Sequence, residues 1–201
     1  MKLMYSPASP YARKVRAVII EKQLEDQVNL VTLAPSDLPQ ELLDASPLSR
    51  VPTLVRDNGE PLIDSPYICE YLDSLGSDAG RLSGQGDDVW AVKHLHATGD
   101  GIIDSAFSIS MERRRDENEQ SPGFIKKQIA RIARGVNALN EEVKNFSNEP
   151  KLGELAVACS LGYLDLRLSN DLDWRTNNTD LANWYAEISK RPSMAQTEPP
   201  K

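Results

Sequence analysis

Two serine–proline pairs carry the residues of this sequence best suited to chemistry. Ser9-Pro10 and Ser65-Pro66 each place a serine as the predicted N-cap of a helix, and Asp64 directly precedes the second pair. A helix start has free N–H groups and a partial positive charge, so it favours an anion. Asp64 and Ser65 together suit a zwitterionic amino-acid group, with its carboxylate at the serine and its ammonium at the aspartate. A capped helix that binds nothing is the alternative.

A third candidate feature is Val51-Pro52, which precedes a short apolar run ending at Val55. Proline removes one ladder donor at the start of a strand. We expect this peptide bond to be cis, which would turn the backbone of Val51 outward and let a short peptide pair with it as an added strand. The turn 57–60 and the run 62–63 then complete a hairpin, because Asn-Gly between two strand-like runs is a strong hairpin signal.

The elements that must position these residues alternate between strands and helices over the first 76 residues. Helical spacing of apolar residues follows both serine–proline pairs, and short apolar runs lie between them. The order is strand, helix, strand, short helix, two strands and a helix, which is the thioredoxin-like arrangement. The remaining predicted elements of this part are strands at Lys2–Tyr5 and Val28–Leu33 and a short helix at Gln40–Ala45.

Beyond this part the sequence shows no strand pattern. Residues 78–86 are small, polar and glycine-rich, and we interpret them as a linker between domains 1–77 and 87–201. Four helical patterns follow, and the one at 155–164 is apolar nearly all round, as in a central buried helix. The fold class is therefore an α/β thioredoxin-like N-terminal domain followed by an all-α C-terminal domain.

Composition excludes several classes of function. The 201 residues carry a formal net charge of −7, which argues against nucleic acid and anionic membrane surfaces as main partners. Cys69 and Cys159 lie in apolar helical patterns, which predicts buried thiols, and no metal-ligand spacing occurs. We see no signal peptide, and no run reaches the roughly 18 apolar residues of a membrane helix. We therefore expect a cytoplasmic protein.

Two motifs at the candidate site resemble a known family. S-R-V-P-T-L-V and, about a dozen residues later, I-D-S-P-Y-I-C-E-Y-L are similar to the glutathione-binding half of cytosolic glutathione transferases. LGYLDLRL and LANWYAEISKRPSM resemble the central helix and closing segment of that family, so the resemblance spans the chain. It implies that Val51 and Pro52 bind the cysteinyl backbone of glutathione and that Asp64 and Ser65 hold its γ-glutamyl end. Arg50 would meet the glycine carboxylate.

The motif S-P-A-S-P-Y-A-R-K-V-R resembles the bacterial transferases in which a serine donates to the glutathione thiolate, and the matching residue is Ser9. Lowering a thiol pKa by about two units takes roughly 2.7 kcal/mol, and one hydrogen bond to a charged group contributes about 1.5–3 kcal/mol. Serine rather than cysteine excludes mixed-disulfide chemistry at this position. Tyr5 is the rival activating residue or a packing residue, Ser6 is a weaker candidate, and Ser9 itself has the alternative of a plain N-cap.

The resemblance implies a homodimeric glutathione transferase with glutathione as co-substrate, no permanently bound cofactor and no metal. The thiolate would attack a small electrophile held against the first long helix of the second domain. One alternative is a member of the same fold that binds a transcription or translation partner without catalysis. Another is a glutathione-dependent peroxidase or dehalogenase that uses the same thiolate.

Several other features are predicted to carry no chemistry. Arg13, Lys14 and Arg16 would make the site electropositive, but we interpret them as a solvated helix face. His94 and His96 make a poor metal pair at this spacing. Residues 197–201 are predicted to form a loose tail. Gly99 and Gly101 indicate either close approach or a tolerated kink. Lys151 and Glu154 stand where the family often has a capping box, so we expect a lost N-cap there.

Overall fold

A four-stranded mixed sheet forms the first part of the chain in the computed structural model, which describes residues 1–37 and 39–200. The strand order is β2-β1-β3-β4, with β1 parallel to β2 and antiparallel to β3, and β3 antiparallel to β4. The strands are β1 Lys2–Tyr5, β2 Asn29–Thr32, β3 Thr53–Val55 and β4 Pro61–Ile63. This sheet and the three helices that accompany it confirm the predicted thioredoxin-like arrangement.

Those three helices lie where the sequence predicted them, although the third begins one residue earlier than its predicted cap implies. They are α1 Pro10–Glu21, α2 Gln40–Ala45 and α3 Ser65–Asp73. Ser9 caps α1, because its Oγ accepts a hydrogen bond from the backbone N–H of Ala12 at 3.2 Å. The buried faces of α1 and α3 pack against each other and against the sheet in one hydrophobic core.

Five helices form the second part within the described residues; the apolar periodicity predicted the first four, and the short fifth helix was missed. They are α4 Asp88–Glu112, α5 Pro122–Glu142, α6 Leu152–Leu168, α7 Thr179–Ile188 and the short α8 Pro192–Ala195. Every residue from Leu152 to Leu164 is buried, so α6 is the central helix, and it packs against α1, α4 and α7. No helix of the described ranges is long and apolar enough to cross a membrane.

The backbones of α4 and α6 touch at glycines. A Cβ on Gly99 would lie 2.8 Å from the carbonyl carbon of Ala156, and a Cβ on Gly153 would lie 2.7 Å from the Cβ of Leu95. A Cβ on Gly101 would meet no described atom within 4 Å. Close approach of a neighbouring helix therefore explains Gly99, whereas Gly101 packs against nothing in the described part of the chain.

One local expectation is confirmed in part and another needs correction. In the described part of the chain Lys151 makes no side-chain capping hydrogen bond at the start of α6, as predicted, but half of a capping box remains, because the Glu154 carboxylate accepts hydrogen bonds from the backbone N–H groups of Lys151 and Ser147, each at 3.0 Å. The end of the chain is not a loose tail throughout. Thr197 is buried and its hydroxyl donates to the carbonyl of Ser193 at 2.6 Å. The predicted tail residue Lys201 lies outside the described residues.

The glycine-rich connection between α3 and α4 is firmly held. The buried Lys22 ammonium donates to the carbonyls of Asp73 and Asp78, at 3.1 and 3.0 Å. The Asp73 carboxylate accepts from the backbone N–H groups of Leu82 and Ser83, at 3.0 and 2.7 Å. Leu82 is itself buried. The α3–α4 connection is thus packed rather than free.

Candidate functional site

Strand register brings the three predicted binding segments to one edge of the sheet. Thr53 pairs with both Met4 and Ile63, so the end of β1, the start of β3 and the end of β4 lie side by side. Ser9 follows β1, Val51-Pro52 precedes β3, and 64–65 follows β4. The N-termini of α1 and α3 therefore open at this same edge, which we call the sheet-edge site.

Ser9 is half-buried at the sheet-edge site. Its backbone N–H donates to the carbonyl of Ser6 at 3.0 Å, and its Oγ accepts from Ala12. Among the described residues its hydroxyl proton has no acceptor. Ser9 thus combines an N-cap with a hydroxyl that is free to donate to an anion at the start of α1.

The Val51-Pro52 peptide bond is cis, as predicted. The loop before it is fixed by hydrogen bonds on either side of Arg50, whose carbonyl accepts from the Thr53 hydroxyl at 2.8 Å. The N–H of Arg50 donates to Ser46 Oγ at 3.3 Å. The Arg50 side chain is exposed. The structure thus places Val51 and Arg50 beside the sheet-edge site.

The start of α3 differs by one residue from the prediction. Asp64, not Ser65, is the N-cap, with a φ of +73°, and Ser65 is the first helical residue. Left-handed backbone is tolerated by aspartate better than by most residues. Asp64 is exposed, whereas Ser65 is only 2 % exposed and its Oγ has no hydrogen-bond partner in the described part of the chain.

Tyr5, the rival activating residue, is occupied by packing. Its ring lies under the Arg16 guanidinium, with 4.9 Å between the guanidinium carbon and the ring centroid. The ring also packs against the hydrophobic core that contains the buried faces of α1 and α3. These contacts favour the packing role for Tyr5 and leave Ser9 as the candidate for thiol activation.

The interpretation of Arg13 and Lys14 as a solvated face is wrong. Both side chains are buried where α1 meets the helical part of the chain. The Lys14 ammonium donates to Asp100 at 2.6 and 2.8 Å and lies 2.6 Å from His96 Nε2. Their position between buried apolar residues of α1 could have indicated burial. Spacing alone does not reveal their partners, which are more than 80 residues away in the sequence.

A second contact joins α1 to α4 at the surface. The Tyr11 hydroxyl donates to the Asp104 carboxylate, and the Tyr11 ring meets the Phe107 ring edge-on with 6.3 Å between centroids. Burial, followed by the Asp104 carboxylate, raises the pKa of Tyr11, so this hydroxyl stays protonated. The two residues are 93 positions apart in the sequence, so no local pattern indicates this contact.

Both cysteines are buried and free, as predicted. Burial raises the pKa of the Cys69 thiol to about 12 and also raises that of Cys159, so neither is a nucleophile. The described residues contain no cluster of side chains fit to hold a metal ion.

Two cavities differ in their relation to Ser9. A cavity of about 440 Å³ lies in the α3–α4 connection, between Asp78, Arg81, Asp88 and Lys151, outside the sheet-edge site. A small cavity of about 10 Å³ is lined by Ser9 itself together with Ala8, Pro10, Arg13, Cys159, Tyr163 and Pro199. The chemistry of the residues, rather than cavity size, singles out the sheet-edge site.

Comparison with known proteins supports this assignment of fold. The model of the glutathione S-transferase N-terminal domain matches residues 8–75. The chain is 38% identical to a glutathione S-transferase of Methylobacillus flagellatus KT, solved with glutathione bound, over 99% of each chain, with a TM-score of 0.91. It is 35% identical to a glutathione transferase family member of Pseudomonas fluorescens Pf-5, also solved with bound glutathione, over 100% of this chain and 99% of that one, with a TM-score of 0.92.

Among curated proteins, the chain is similar to the uncharacterized GST-like protein YibF of Escherichia coli K12. The two are 28% identical over 204 residues and over the full length of each. A thioredoxin-like domain with a cis-proline and two helix starts at one sheet edge, followed by a helical domain, is the architecture of glutathione-binding transferases. The chain belongs to the glutathione S-transferase family.

Proposed function

We propose that this chain binds glutathione at the sheet-edge site and that Ser9 stabilises its thiolate for attack on a small electrophile. The observation that carries the proposal is Ser65 at the start of α3. Its hydroxyl is buried and has no hydrogen-bond partner among the described residues, and the exposed carboxylate of Asp64 directly precedes it. A buried hydroxyl without a partner costs about 1–3 kcal/mol, and a bound carboxylate would supply the missing acceptor.

The remaining contacts in this proposal follow the glutathione chain from its γ-glutamyl end to its glycine end. The γ-glutamyl carboxylate lies at Ser65 and the α3 N-terminus, and its ammonium lies at Asp64. The cysteinyl backbone pairs with Val51 next to the cis peptide bond, and the glycine carboxylate meets Arg50. The similar proteins from Methylobacillus flagellatus and Pseudomonas fluorescens, both solved with glutathione bound, support this ligand.

The Ser9 hydroxyl donates to the thiolate in this proposal. One hydrogen bond to a charged group contributes about 1.5–3 kcal/mol, which corresponds to roughly one to two units of thiol pKa. The electrophile approaches from the α4 side, where the Phe107 ring is 41 % exposed beside Tyr11. Addition to the electrophile or displacement of its leaving group then forms the glutathione conjugate.

The assembly and location of the protein belong to the same proposal. We place the glutathione-binding domain at 1–77, the linker at 78–86 and the helical domain at 87–201. We expect a homodimer, which light scattering coupled to gel filtration would reveal as twice the 22.3 kDa chain mass. Two buried free thiols suit the reducing cytoplasm that we propose as its location.

Calorimetric titration of the purified protein with reduced glutathione tests the proposal. We expect one site per chain with a micromolar to millimolar Kd, followed by turnover in a screen of aryl halides and hydroperoxides. Absence of binding up to about 10 mM, a binding free energy weaker than about −3 kcal/mol, would overturn it. That result would favour the alternative function, in which a protein of this fold binds a protein partner and catalyses no reaction.

A further inference from the structure

The Arg13 side chain is a buried cation that forms no ion pair in the described part of the chain. It is 5 % exposed, and its Nη2 donates to the carbonyl of Met194 at 3.2 Å. Its Nη1 fits only because Gly162 of α6 has no side chain, since a Cβ there would lie 2.2 Å away. In the described part of the chain, Arg13 Nε has no hydrogen-bond partner.

No carboxylate oxygen of the described residues lies within 4.0 Å of an Arg13 nitrogen, the limit for an ion pair. Its neighbour Lys14, by contrast, pairs with Asp100 at 2.6 Å. An isolated charge in the interior is costly unless another group compensates it. Titratable and charged groups near Arg13 include Cys159 and Tyr163 of α6, Tyr185 of α7, and Arg16 and the Asp100-paired Lys14 of α1. Burial raises the pKa values of Cys159 and Tyr185, so neither supplies a negative charge.

Arg13 lies one helical turn after Ser9. Residues four apart on a helix have Cβ atoms about 5–6 Å apart, and long side chains lean towards the helix N-terminus. The two residues also line the same small cavity, of about 10 Å³. The Arg13 side chain and Ser9, whose hydroxyl we assign to the thiolate, therefore border one small space with little room for screening water.

We propose that Arg13 is the fixed positive charge that stabilises the thiolate of glutathione bound at Ser9. This inference rests on the proposed function. The Ser9 hydroxyl donates a hydrogen bond to the sulfur. The Arg13 guanidinium, buried behind the start of α1, stabilises the negative charge of the sulfur without contacting the ligand. A charge in a poorly screened interior acts over longer distances than one in water.

The test compares two glutathione analogues that differ in charge at the sulfur position. Glutathione sulfonate carries a fixed negative charge there, and S-methylglutathione is neutral. The ratio of their affinities, measured by calorimetry, reports stabilisation of an anion at that position. We expect Arg13→Gln to lower this preference about tenfold, or about 1.4 kcal/mol, and to raise the thiol pKa of bound glutathione by about one unit.

Two variants separate charge from structure. Arg13→Lys keeps the positive charge and should keep the preference within about threefold. Arg16→Gln is the matched control, because Arg16 also lies on α1 and donates to a backbone carbonyl near the chain end, that of Gln196 at 3.2 Å. It should leave the preference unchanged. A preference unchanged in Arg13→Gln, with only a lower melting temperature, would show that Arg13 is a structural clamp and would overturn the inference.

The experiment also separates this inference from the proposed function. If the wild-type protein binds neither analogue, both the proposed function and the role of Arg13 are overturned. If it binds both with equal affinity, the role of Arg13 alone is overturned. If Arg13→Gln does not fold, a protein with acetyl-lysine at position 13 is compared with Arg13→Lys. The two side chains share the same aliphatic carbons, and only lysine carries a positive charge. Equal preferences in that pair would also overturn the inference.

Discussion

The Lys14 ammonium lies 2.6 Å from Nε2 of His96, inside the contact between α1 and α4. Lys14 is fully buried, and it also donates to Asp100 at 2.6 Å. Because an ammonium only donates, His96 Nε2 must accept and the imidazole must be neutral. Burial first, and the Lys14 charge second, lower the pKa of His96 to about 3.

This pKa predicts how stability depends on pH. The unfolded chain protonates His96 near pH 6.5, whereas the folded chain does not until about pH 3. The unfolded state therefore binds more protons between these values, and stability falls as the pH falls through this window. We expect His96→Gln, which keeps an acceptor for Lys14, to lose less stability than wild type between pH 7.5 and 5.0, by up to about 2 kcal/mol.

Urea unfolding at the two pH values measures this difference. His94→Gln is the matched control, because His94 is exposed on the same helix. It should keep the pH dependence of the wild type. Equal pH dependence in His96→Gln and His94→Gln would contradict the neutral, buried histidine.

The two glycines of α4 should respond oppositely to alanine. Gly99→Ala places a Cβ 2.8 Å from the backbone of Ala156, so we expect it to destabilise the protein by about 1–3 kcal/mol. The Cβ of Gly101→Ala meets none of the described residues within 4 Å and the variant gains helix propensity, so we expect stabilisation of up to about 1 kcal/mol. Thermal unfolding of both variants checks the pair, and a destabilised Gly101→Ala would show that this position has a further partner.

Ser65→Ala should separate stability from ligand binding. In the free protein the buried hydroxyl has no described partner, so its removal should leave the melting temperature unchanged or raise it. Glutathione affinity should fall about fivefold, about 1 kcal/mol, because a hydrogen bond to the carboxylate is lost. Ser160→Ala, whose hydroxyl donates to the carbonyl of Val157 at 2.7 Å, is the control that should lower stability and spare binding. If Ser65→Ala lowers stability and leaves glutathione affinity unchanged, Ser65 is not part of the binding site.

Asp64→Ala should weaken glutathione binding by at least about 1 kcal/mol, because it removes the carboxylate assigned to the ligand ammonium. Calorimetry measures the change. The comparison variant is Asp26→Ala, since Asp26 is exposed and precedes β2 at the opposite end of the sheet. If the two variants bind glutathione equally well, the ammonium lies elsewhere.

Sequence predicted the elements well where local rules decide them. The Ser9 cap, the apolar stripes of the long helices and the hairpin all depend on neighbours in the chain, and each appears in the structure. The α3 cap shifted by one residue because Asp64 takes up left-handed backbone, which no pattern around it signals. Arg13 and Lys14 were misread because their partners belong to helices more than 80 residues away. Charge alone suggested solvent, and only packing reveals burial.

The role of Ser9 is tested most directly by titrating the thiol of bound glutathione through its thiolate absorbance, in wild type and in Ser9→Ala. Ser6→Ala is the control, because the Ser6 backbone carbonyl, which the substitution keeps, accepts the Ser9 N–H in the turn before α1. We expect a depressed thiol pKa in the wild type and in Ser6→Ala, and a pKa higher by about one to two units in Ser9→Ala. An identical titration in all three proteins would contradict the assignment of Ser9 to the thiolate.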